Sequence, residues 1–452
     1  MKYISETDFS EILDALRDLI EKKNQGALRN LLIELHPADI ADIFTTLRKE
    51  ERKYLFPLLP AEMASAVLPE LDPPLVEQLL EDVSEKELSG LVDKMDSDDA
   101  ADILSDLPVE TARNILEQIP ADISEEVREL LAYAEDSAGG IMALEYVAVT
   151  LKSSVNQTIK AIRRAKKRIE HIHNVWVVNE QGVLAGSVSL TDLVLAKGKS
   201  PLSKIMDTDI KYVYTDMDQE EVAILFRKYD LVALPVVNAA RQLVGQITID
   251  DIIDVVEEEA SEDMSLFAGA SDEEIQEDSF LKISWVRLPW LMVAFIGQLI
   301  AAIIIEHFEG TITQIIALTF FMPLIMAMGG NSGIQSSIII IRGLATGEIS
   351  VESTWRRFFR ELRVALFIGF IFGLLITLVV GLWQNMIMGL VIGIALNLVI
   401  LQATLFGGLI PFILKRADID PALASGPFIT TVNDILGLLI YLVIITTSIP
   451  FF

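Results

Sequence analysis

An aspartate inside an apolar segment near the C-terminus carries the strongest chemical implication. Asp434 is the only acidic residue in the segment 426–452, and an ionised carboxylate at the middle of a bilayer costs about 2.5 to 3.5 kcal/mol on insertion scales. The helical face that it shares carries small or polar side chains, namely Pro427, Thr430, Thr431, Gly437 and Tyr441. A pathway for cations explains both the charge and its small neighbours.

A polar motif in another apolar segment supplies further oxygen atoms. Residues 328–337 read MGGNSGIQSS, in which Asn331 and Gln335 carry amide oxygens and the paired glycines can expose backbone carbonyls. Pro323 upstream favours a bent or broken helix. Irregular backbone within a membrane is tolerated where it is packed in protein or lines a water-filled cavity. Packing of small residues between helices is the alternative explanation.

A third feature is a run of acids, from residue 250 to residue 278, with no lysine or arginine in it. On a helix, Asp251, Asp254 and Glu258 share one face at spacings of three and four. Like charges about 4 Å apart repel by roughly 1 kcal/mol per pair even in water, and divalent cations would offset that repulsion. A solvated linker is the alternative. The position of the run, directly before the first long apolar stretch, favours a gating helix stabilised by bound cations.

Charge and hydropathy are segregated along the chain. Hydrophobic residues make up 52% of the 452 residues, yet 65 residues are acidic. Residues 1–280 hold 27 of the 36 basic and 57 of the 65 acidic residues, a formal charge of −30. Such a surface repels nucleic acid and attracts cations or a basic partner. Cysteine is missing from the sequence, which excludes disulfides and thiolate metal sites.

Five apolar stretches in the C-terminal third predict membrane-spanning helices at 288–305, 312–341, 364–382, 386–414 and 426–452. Buried helices of a soluble domain would need polar faces that these stretches lack. Basic residues lie between the second and third stretches and between the fourth and fifth, whereas the opposite loops contain none. The positive-inside rule thus predicts a cytosolic N-terminus and an external C-terminus. The first residues lack the pattern of a cleaved signal peptide.

Residues 5–130 predict a small superhelix of short amphipathic helices, because apolar positions recur at spacings of three and four between Pro-containing turns. By default the acids of these helices, such as Glu62, Asp98, Asp99 and Asp102, form only a solvated face. His36, followed by Pro37 at a helix start, is expected to cap or pack that helix and not to bind metal.

An internal repeat follows these helices. Residues 177–193 align without gaps with residues 236–252, 59 residues later. Each copy predicts a strand, a turn, a second strand and a helix that begins near an aspartate, and an upstream helix precedes each copy. This order resembles a tandem of CBS domains. In that family Ser or Thr with Asp three residues later, here Ser189 with Asp192 and Thr248 with Asp251, can hold an adenosine ribose. Many CBS domains bind nothing, so that alternative stays open.

The order of motifs along the whole chain resembles the MgtE family of magnesium channels. HPADIADI at 36–43, EDSAGGIM at 135–142, the CBS pair, GGNSGIQSS and the stretch from Asp420 to Asp434 follow in the family's order. The resemblance implies a multidomain fold: an α-helical N-terminal superhelix (1–134), α/β tandem CBS domains (135–200 and 201–256), an acidic connecting helix (257–280), and a five-helix all-α transmembrane domain (281–452).

The resemblance also implies a mechanism. A homodimer would form the pore between the second and fifth spans, with Asp434, Asn331 and Thr430 at a site for hydrated Mg²⁺. Cytosolic Mg²⁺ would bridge acids of the N domain, the CBS module and the connecting helix and hold the pore shut. By position these acids are Glu62, Asp98, Asp102, Glu220, Asp230, Asp251, Asp254, Glu259, Glu262 and Asp263. The chain is then expected in a bacterial inner membrane, with ATP or another adenine nucleotide as a further CBS ligand.

The oxygen-rich composition of these sites suits magnesium, which prefers oxygen ligands and dehydrates reluctantly. Three other functions remain open: a transporter of another divalent ion such as Co²⁺ or Mn²⁺, a nucleotide-modulated channel of another CBS-bearing class, and a receptor that senses ions without conducting them. An enzyme is disfavoured, because no Ser/His, Lys/Asp or phosphate-cradling constellation stands out in the sequence.

Overall fold

The computed structural model describes residues 6–451 except 82, 167–168, 170–171, 271–278, 347–348, 350–353, 418 and 422–425. The chain forms two compact units, Met1–Val256 and Glu257–Phe452. The first unit contains the predicted superhelix and both CBS repeats. The second contains the apolar C-terminal third. Each unit is described by itself.

Short helices fill the first part of the first unit. In the described residues they are α1 (Glu6–Glu21), α2 (Gln25–Ile33), α3 (Pro37–Thr46), α4 (Lys49–Leu55), α5 (Ala61–Val67), α6 (Pro73–Leu80), α7 (Glu85–Val92), α8 (Ser97–Ser105), α9 (Val109–Gln118) and α10 (Ala121–Leu130). Each buries an apolar stripe in one shared core, in which Leu16, Ile40 and Phe44 are fully buried. The predicted helical domain is confirmed.

Local signals start these helices. Ser84 and Glu87 form a reciprocal capping box at the start of α7, so two backbone N–H groups gain acceptors. His36 precedes Pro37, and its Nδ1 accepts a hydrogen bond from the Ala38 backbone N–H at 3.3 Å. The prediction that His36 caps or packs a helix is therefore confirmed.

The two CBS repeats form two sheets with the same strand order. In the first, β1 (Ala148–Thr150) pairs in parallel with β2 (Asn174–Val178), which pairs antiparallel with β3 (Leu184–Ser189). In the second, β4 (Val213–Tyr214), β5 (Ala233–Val237) and β6 (Leu243–Thr248) repeat that order. The register also repeats, because Val177 lies opposite Gly186 and Val236 lies opposite Gly245.

Helices flank these strands in both repeats. They are α11 (Val155–Ala165), α12 (Leu190–Leu195), α13 (Gln219–Tyr229) and α14 (Ile249–Ala268). Gly269, with a left-handed φ of 71°, follows the end of α14. Of the predicted connecting helix 257–280, residues 271–278 lie outside the described residues, and the next helix begins at Phe280.

The second unit is helical. Its described elements are α15 (Phe280–His307), α16 (Glu309–Gln314), a 3₁₀ turn (Ile316–Phe321), α17 (Met322–Ala345), α18 (Thr354–Trp383), α19 (Met386–Arg416) and α20 (Gly426–Ser448). Five segments of the described chain are long and apolar enough to span a membrane. They match the five predicted stretches in order and number.

Helix α19 forms the centre of this unit. Ile392, Leu396, Val399 and Ile400 on α19 are almost completely buried. Small residues let the other helices approach it closely: a Cβ built on Gly407 would lie 2.1 Å from the carbonyl oxygen of Gly333 on α17. No side chain fits at that crossing, so the backbones of α17 and α19 are in direct contact.

Candidate cation sites

The candidate pore site is built on α20. Asp434 is half-buried, and its Oδ2 accepts a hydrogen bond from Gln298 Nε2 on α15 at 2.9 Å. Thr430 lies one turn earlier and donates its hydroxyl to the Gly426 carbonyl at 2.5 Å. A carboxylate held by one amide keeps lone pairs for water or for a hydrated ion.

The glycine pair of α17 brings that helix against the same site. A Cβ built on Gly330 would lie 3.2 Å from the Thr430 methyl carbon and 3.6 Å from Asp434 Oδ1. The α17 backbone therefore lies close to the carboxylate. Asn331, the next residue, is exposed in the single chain.

Helix α17 is continuous through the paired glycines, so the expectation of a broken helix there is wrong. Pro323 lies in the first turn of the helix, where its missing N–H breaks no helical hydrogen bond. Gly329 faces Val399 of α19, and Gly330 faces Thr430 of α20. Their role in the described chain is close helix packing, which is the alternative that the sequence left open.

Gln298 was missed by sequence reasoning. Its signal is a polar side chain within the otherwise apolar stretch 288–305 of α15, the first predicted span. The spacing to Asp434 gives no indication of the contact, because the two residues belong to helices far apart in the chain.

The candidate sensor site lies in the first unit, where α8 of the N domain approaches the start of α14. Asp98 on α8 is buried and lies within electrostatic range of Asp251 on α14. Half-buried Asp99 is influenced by Asp96, Asp251 and Asp102. The structure thus brings together residues of the helical domain and of the second CBS repeat.

Burial and mutual repulsion raise the pKa values of these acids. Burial is the main cause for Asp98, whose pKa lies well above its usual range, and Asp99 and Asp251 add repulsion. Burial followed by neighbouring acids raises the pKa of Asp99 to about 8. Burial raises the pKa of Asp251 to about 6, although hydrogen bonds from Thr248 oppose that shift. Such a cluster favours any cation that replaces its protons.

Glu70 extends the cluster. Burial raises its pKa first, and Asp254 on α14 raises it further. Asp99 and Glu70 were not among the predicted sensor residues. The only sequence signal for Asp99 was its position directly after the predicted sensor residue Asp98, and Glu70 had no such signal. In the described residues, no three His, Asp or Glu side chains converge to hold a single bare metal ion. An ion that keeps most of its water shell needs only one or two carboxylates.

The remaining predicted sensor residues lie on α5, at the ends of α13 and on the later turns of α14. Glu62 on α5 is exposed and forms an ion pair with Lys94. Glu220 and Asp230 lie at opposite ends of α13, roughly 15 Å apart at 1.5 Å per residue. Glu259, Glu262 and Asp263 lie on the part of α14 that belongs to the second unit. Their roles as sensor ligands stay predictions.

The two candidate nucleotide pairs share a hydroxyl-to-carboxylate hydrogen bond but differ in their surroundings, since the Thr248 hydroxyl also contacts Asp250. Ser189 Oγ donates to Asp192 Oδ2 at 2.6 Å, and Thr248 Oγ1 donates to Asp251 Oδ2 at 2.8 Å. Asp192 is exposed, whereas Asp251 lies in the acidic cluster. In the described chain, Asp192 is thus the more accessible of the two aspartates to a ribose.

Comparisons with known proteins match this arrangement. A family model described as "Divalent cation transporter" matches residues 322–444, the model "MgtE intracellular N domain" matches 35–136, and the CBS domain model matches 138–199 and 202–258.

Named relatives are similar over most of the chain. A magnesium transporter MgtE of Thermus thermophilus is 37% identical over 70% of this chain and 71% of its own length. One of Bacillus subtilis is 39% identical over 72% of each chain. A solved cytosolic domain of the Mg²⁺ channel MgtE in complex with ATP is 35% identical, covers 54% of this chain and 99% of its own, and gives a TM-score of 0.52.

Proposed function

The chain belongs to the MgtE family of magnesium transporters, and we propose that it is a Mg²⁺-selective uptake channel that cytosolic Mg²⁺ closes. It is a transporter and not an enzyme. Closure follows when Mg²⁺ binds the acids of the N domain, the CBS module and α14. In this proposal Mg²⁺ is both the substrate and the regulator.

One observation carries the gating: Asp98 of the N domain lies within electrostatic range of Asp251 of the second CBS repeat. Without a bound cation these carboxyl groups must either repel each other or take up protons, and both costs favour separation of α8 from α14. A hydrated Mg²⁺ between the two carboxylates attracts both of them and so favours the arrangement in which α8 and α14 are close. A ligand that binds only the closed arrangement stabilises that arrangement by mass action.

In this proposal the ion site of the pore is formed by Asp434 together with Thr430, Gly330 and Asn331. Asp434 attracts the doubly charged ion, and water-mediated contacts let the ion keep its shell. Close packing at Gly330 keeps the α17 backbone next to the carboxylate. Two copies of the chain would place two such carboxylates on one pathway.

A homodimer is supported by apolar side chains at equivalent positions of the two CBS repeats. Val194 and Leu195 on α12 are 80% exposed, and Ile253 on α14, 59 residues after Val194, is 60% exposed. Exposed apolar side chains repeated in this way favour burial against a second copy.

Modulation by an adenine nucleotide is a further part of the proposal. The exposed Ser189–Asp192 pair supports it, together with the ATP bound to the related cytosolic domain. The Thr248–Asp251 pair is a weaker candidate, because Asp251 belongs to the acidic cluster. Transport of Co²⁺ or Mn²⁺ remains the alternative to Mg²⁺.

We place the chain in a bacterial inner membrane with the N-terminus in the cytosol and the C-terminus outside. Arg356 and Arg360 at the start of α18 and Lys415 and Arg416 at the end of α19 support this orientation. The proposed domains are 1–134, 135–200, 201–256, 257–280 and 281–452.

Electrical recording of the reconstituted protein tests this function. Wild-type current should fall when Mg²⁺ on the cytosolic side rises. Neutralising Asp251, Asp254, Glu259 and Glu262 together, to Asn or Gln, should keep the channel open at high Mg²⁺. Asp14→Asn, which removes an exposed acid on α1, is the matched control. Gating of the fourfold variant like the wild type contradicts the sensor, and a wild type without Mg²⁺ current contradicts the channel.

A further inference from the structure

A second acidic side chain is buried in the membrane unit, away from the pore site. Glu361 lies on α18, within the span Arg356–Trp383, and is only 7% exposed. A carboxylate buried in protein is expensive unless it is paired and hydrogen-bonded, so its presence calls for an explanation. Glu361 belongs neither to the proposed pore site at Asp434 nor to the acidic cluster of the first unit.

Three helices meet at this carboxylate. Arg357 Nε, one turn earlier on α18, lies 3.4 Å from Glu361 Oε1, and Ser336 Oγ on α17 donates to Oε2 at 3.3 Å. A Cβ built on Gly408 of α19 would lie 3.0 Å from Ser336 Oγ and 3.9 Å from Glu361 Cγ. We call Arg357, Glu361 and Ser336 the α17–α18 link.

The link is poorly explained by stability alone. Both ionic side chains are nearly buried, yet Arg357 Nε has no hydrogen-bond partner among the described residues. Burying an ion pair costs desolvation, and apolar residues of similar volume often serve stability as well or better. A buried ion pair favours one arrangement of the helices that it joins, because its groups find their partners only in that arrangement.

The α17–α18 link fixes α17, the helix that bears Asn331. Ser336 is buried toward α18 and α19, whereas Asn331 and Gln335 on other faces of α17 are exposed in the single chain. A helix is a rigid rod over this length, so fixing the direction of Ser336 also fixes the directions of Asn331 and Gln335.

We propose that the α17–α18 link positions the pore-lining face of α17, with Arg357 and Glu361 acting through Ser336 as positioning residues for ion passage. This inference rests on the proposed function, because it takes α17 to line the pore. Its specific consequence is that the link sets the discrimination between Mg²⁺ and larger divalent ions, since small rotations of α17 change the spacing of Asn331 and Gln335 across the pathway.

The test measures Mg²⁺ and Ca²⁺ flux per folded molecule in proteoliposomes. The variants are Ser336→Ala, the singles Glu361→Gln and Arg357→Met, and the double Arg357→Met with Glu361→Leu. Glu361→Gln and Arg357→Met each leave one buried charge without its partner, whereas the double leaves only the neutral Ser336 hydroxyl without its acceptor. The double is therefore expected to melt closer to the wild type than either of these singles. Arg363→Met, which removes an exposed arginine of α18, is the control.

We expect the double variant to lower Mg²⁺ flux roughly tenfold, the range seen when outer groups that orient an ion site are removed. The ratio of Mg²⁺ to Ca²⁺ flux should fall in the double variant and in Ser336→Ala, and Arg363→Met should change neither quantity. A link that serves stability alone would change melting in the singles but leave the flux ratio unchanged.

Two outcomes separate this inference from the proposed function. If the folded double variant and Ser336→Ala both keep wild-type flux and ratio, while Asp434→Asn abolishes flux, the inference is wrong and the channel proposal stands. If the wild type itself carries no Mg²⁺, the proposed function is wrong, and the inference is wrong with it.

Discussion

Asp98 on α8 and Asp251 on α14 come from different domains, yet each carboxylate lies within electrostatic range of the other. The surrounding charges that raise the Asp98 pKa are acidic as well, namely Asp99 and Glu145. A protein that buries like charges in this way requires protons or metal ions at that place. This relationship gives the first two predictions.

Asp98→Asn should stabilise the cytosolic part, residues 1–268, in the absence of metal. An amide is buried without taking up a proton, so the variant avoids the cost of protonating this acid, and a gain of roughly 1 kcal/mol raises the melting temperature by about 2–4 °C for a domain of this size. The additional rise in melting temperature that Mg²⁺ produces should be smaller in the variant than in the wild type, because the ion loses a ligand. Thermal unfolding with EDTA and with saturating Mg²⁺ checks both, and Asp14→Asn is the control. An unchanged Mg²⁺ increment in Asp98→Asn contradicts the sensor assignment.

Without Mg²⁺ the free energy of unfolding should fall as the pH rises, and saturating Mg²⁺ should largely remove this dependence. The folded-state pKa values of Asp99, about 8, and Asp251, about 6, lie above those of the unfolded chain. Between about pH 4 and pH 8 the folded state therefore binds more protons, so its free energy of unfolding falls as the pH rises. Mg²⁺ replaces these protons. The stabilisation by Mg²⁺ should thus be larger at pH 8 than at pH 6, and binding should release protons.

Calorimetry in buffers of different ionisation enthalpy measures that proton release. Equal Mg²⁺ stabilisation at both pH values, together with no proton release, would contradict the role of the buried acids. Raising ionic strength with a monovalent salt is the control, because it screens exposed charges without occupying a divalent site.

Asp434→Asn should leave the protein folded and inserted but lower Mg²⁺ flux by roughly tenfold or more, since about 1.4 kcal/mol of lost attraction is a factor of ten. The amide keeps the shape of the side chain and can still accept the hydrogen bond from Gln298. Fluorescence flux assays in liposomes check the result. Thr447→Ala, on an exposed position of the same helix, should transport normally. Wild-type flux in Asp434→Asn would show that this carboxylate does not bind the permeating ion.

ATP should bind at the first CBS repeat. Ser189→Ala with Asp192→Asn removes two hydrogen-bonding groups, one of them charged, and should weaken ATP binding by roughly tenfold. Thr248→Ala in the second repeat should have a smaller effect. Calorimetric titration of residues 1–268 checks the difference. Equal losses in the two repeats would show that exposure of Asp192 does not select the site.

The sequence alone determined the architecture, because its signals are local. The 59-residue repeat predicted two strands and a helix in each copy, and the register of Val177 with Gly186 recurs at Val236 with Gly245. The parallel strands β1 and β4 lie outside the aligned repeat and were not predicted. Apolar stretches long enough to cross a bilayer predicted the five spans. Asp434 stood out because one charge in an apolar helix is visible without knowing its neighbours.

Tertiary structure decided which polar residues meet. Sequence position grouped Glu62 with Asp98 as sensor acids, yet Glu62 pairs with Lys94 at the surface while Asp98 is buried beside Asp99 and Asp251. The Gln298–Asp434 bond and the Ser336–Glu361 bond join different helices. Helical periodicity shows that a face is apolar or small, but the partner of that face depends on how whole helices pack against each other. The continuous course of α17 through Gly329 and Gly330 has the same cause, because neighbouring helices occupy the space that the missing side chains leave.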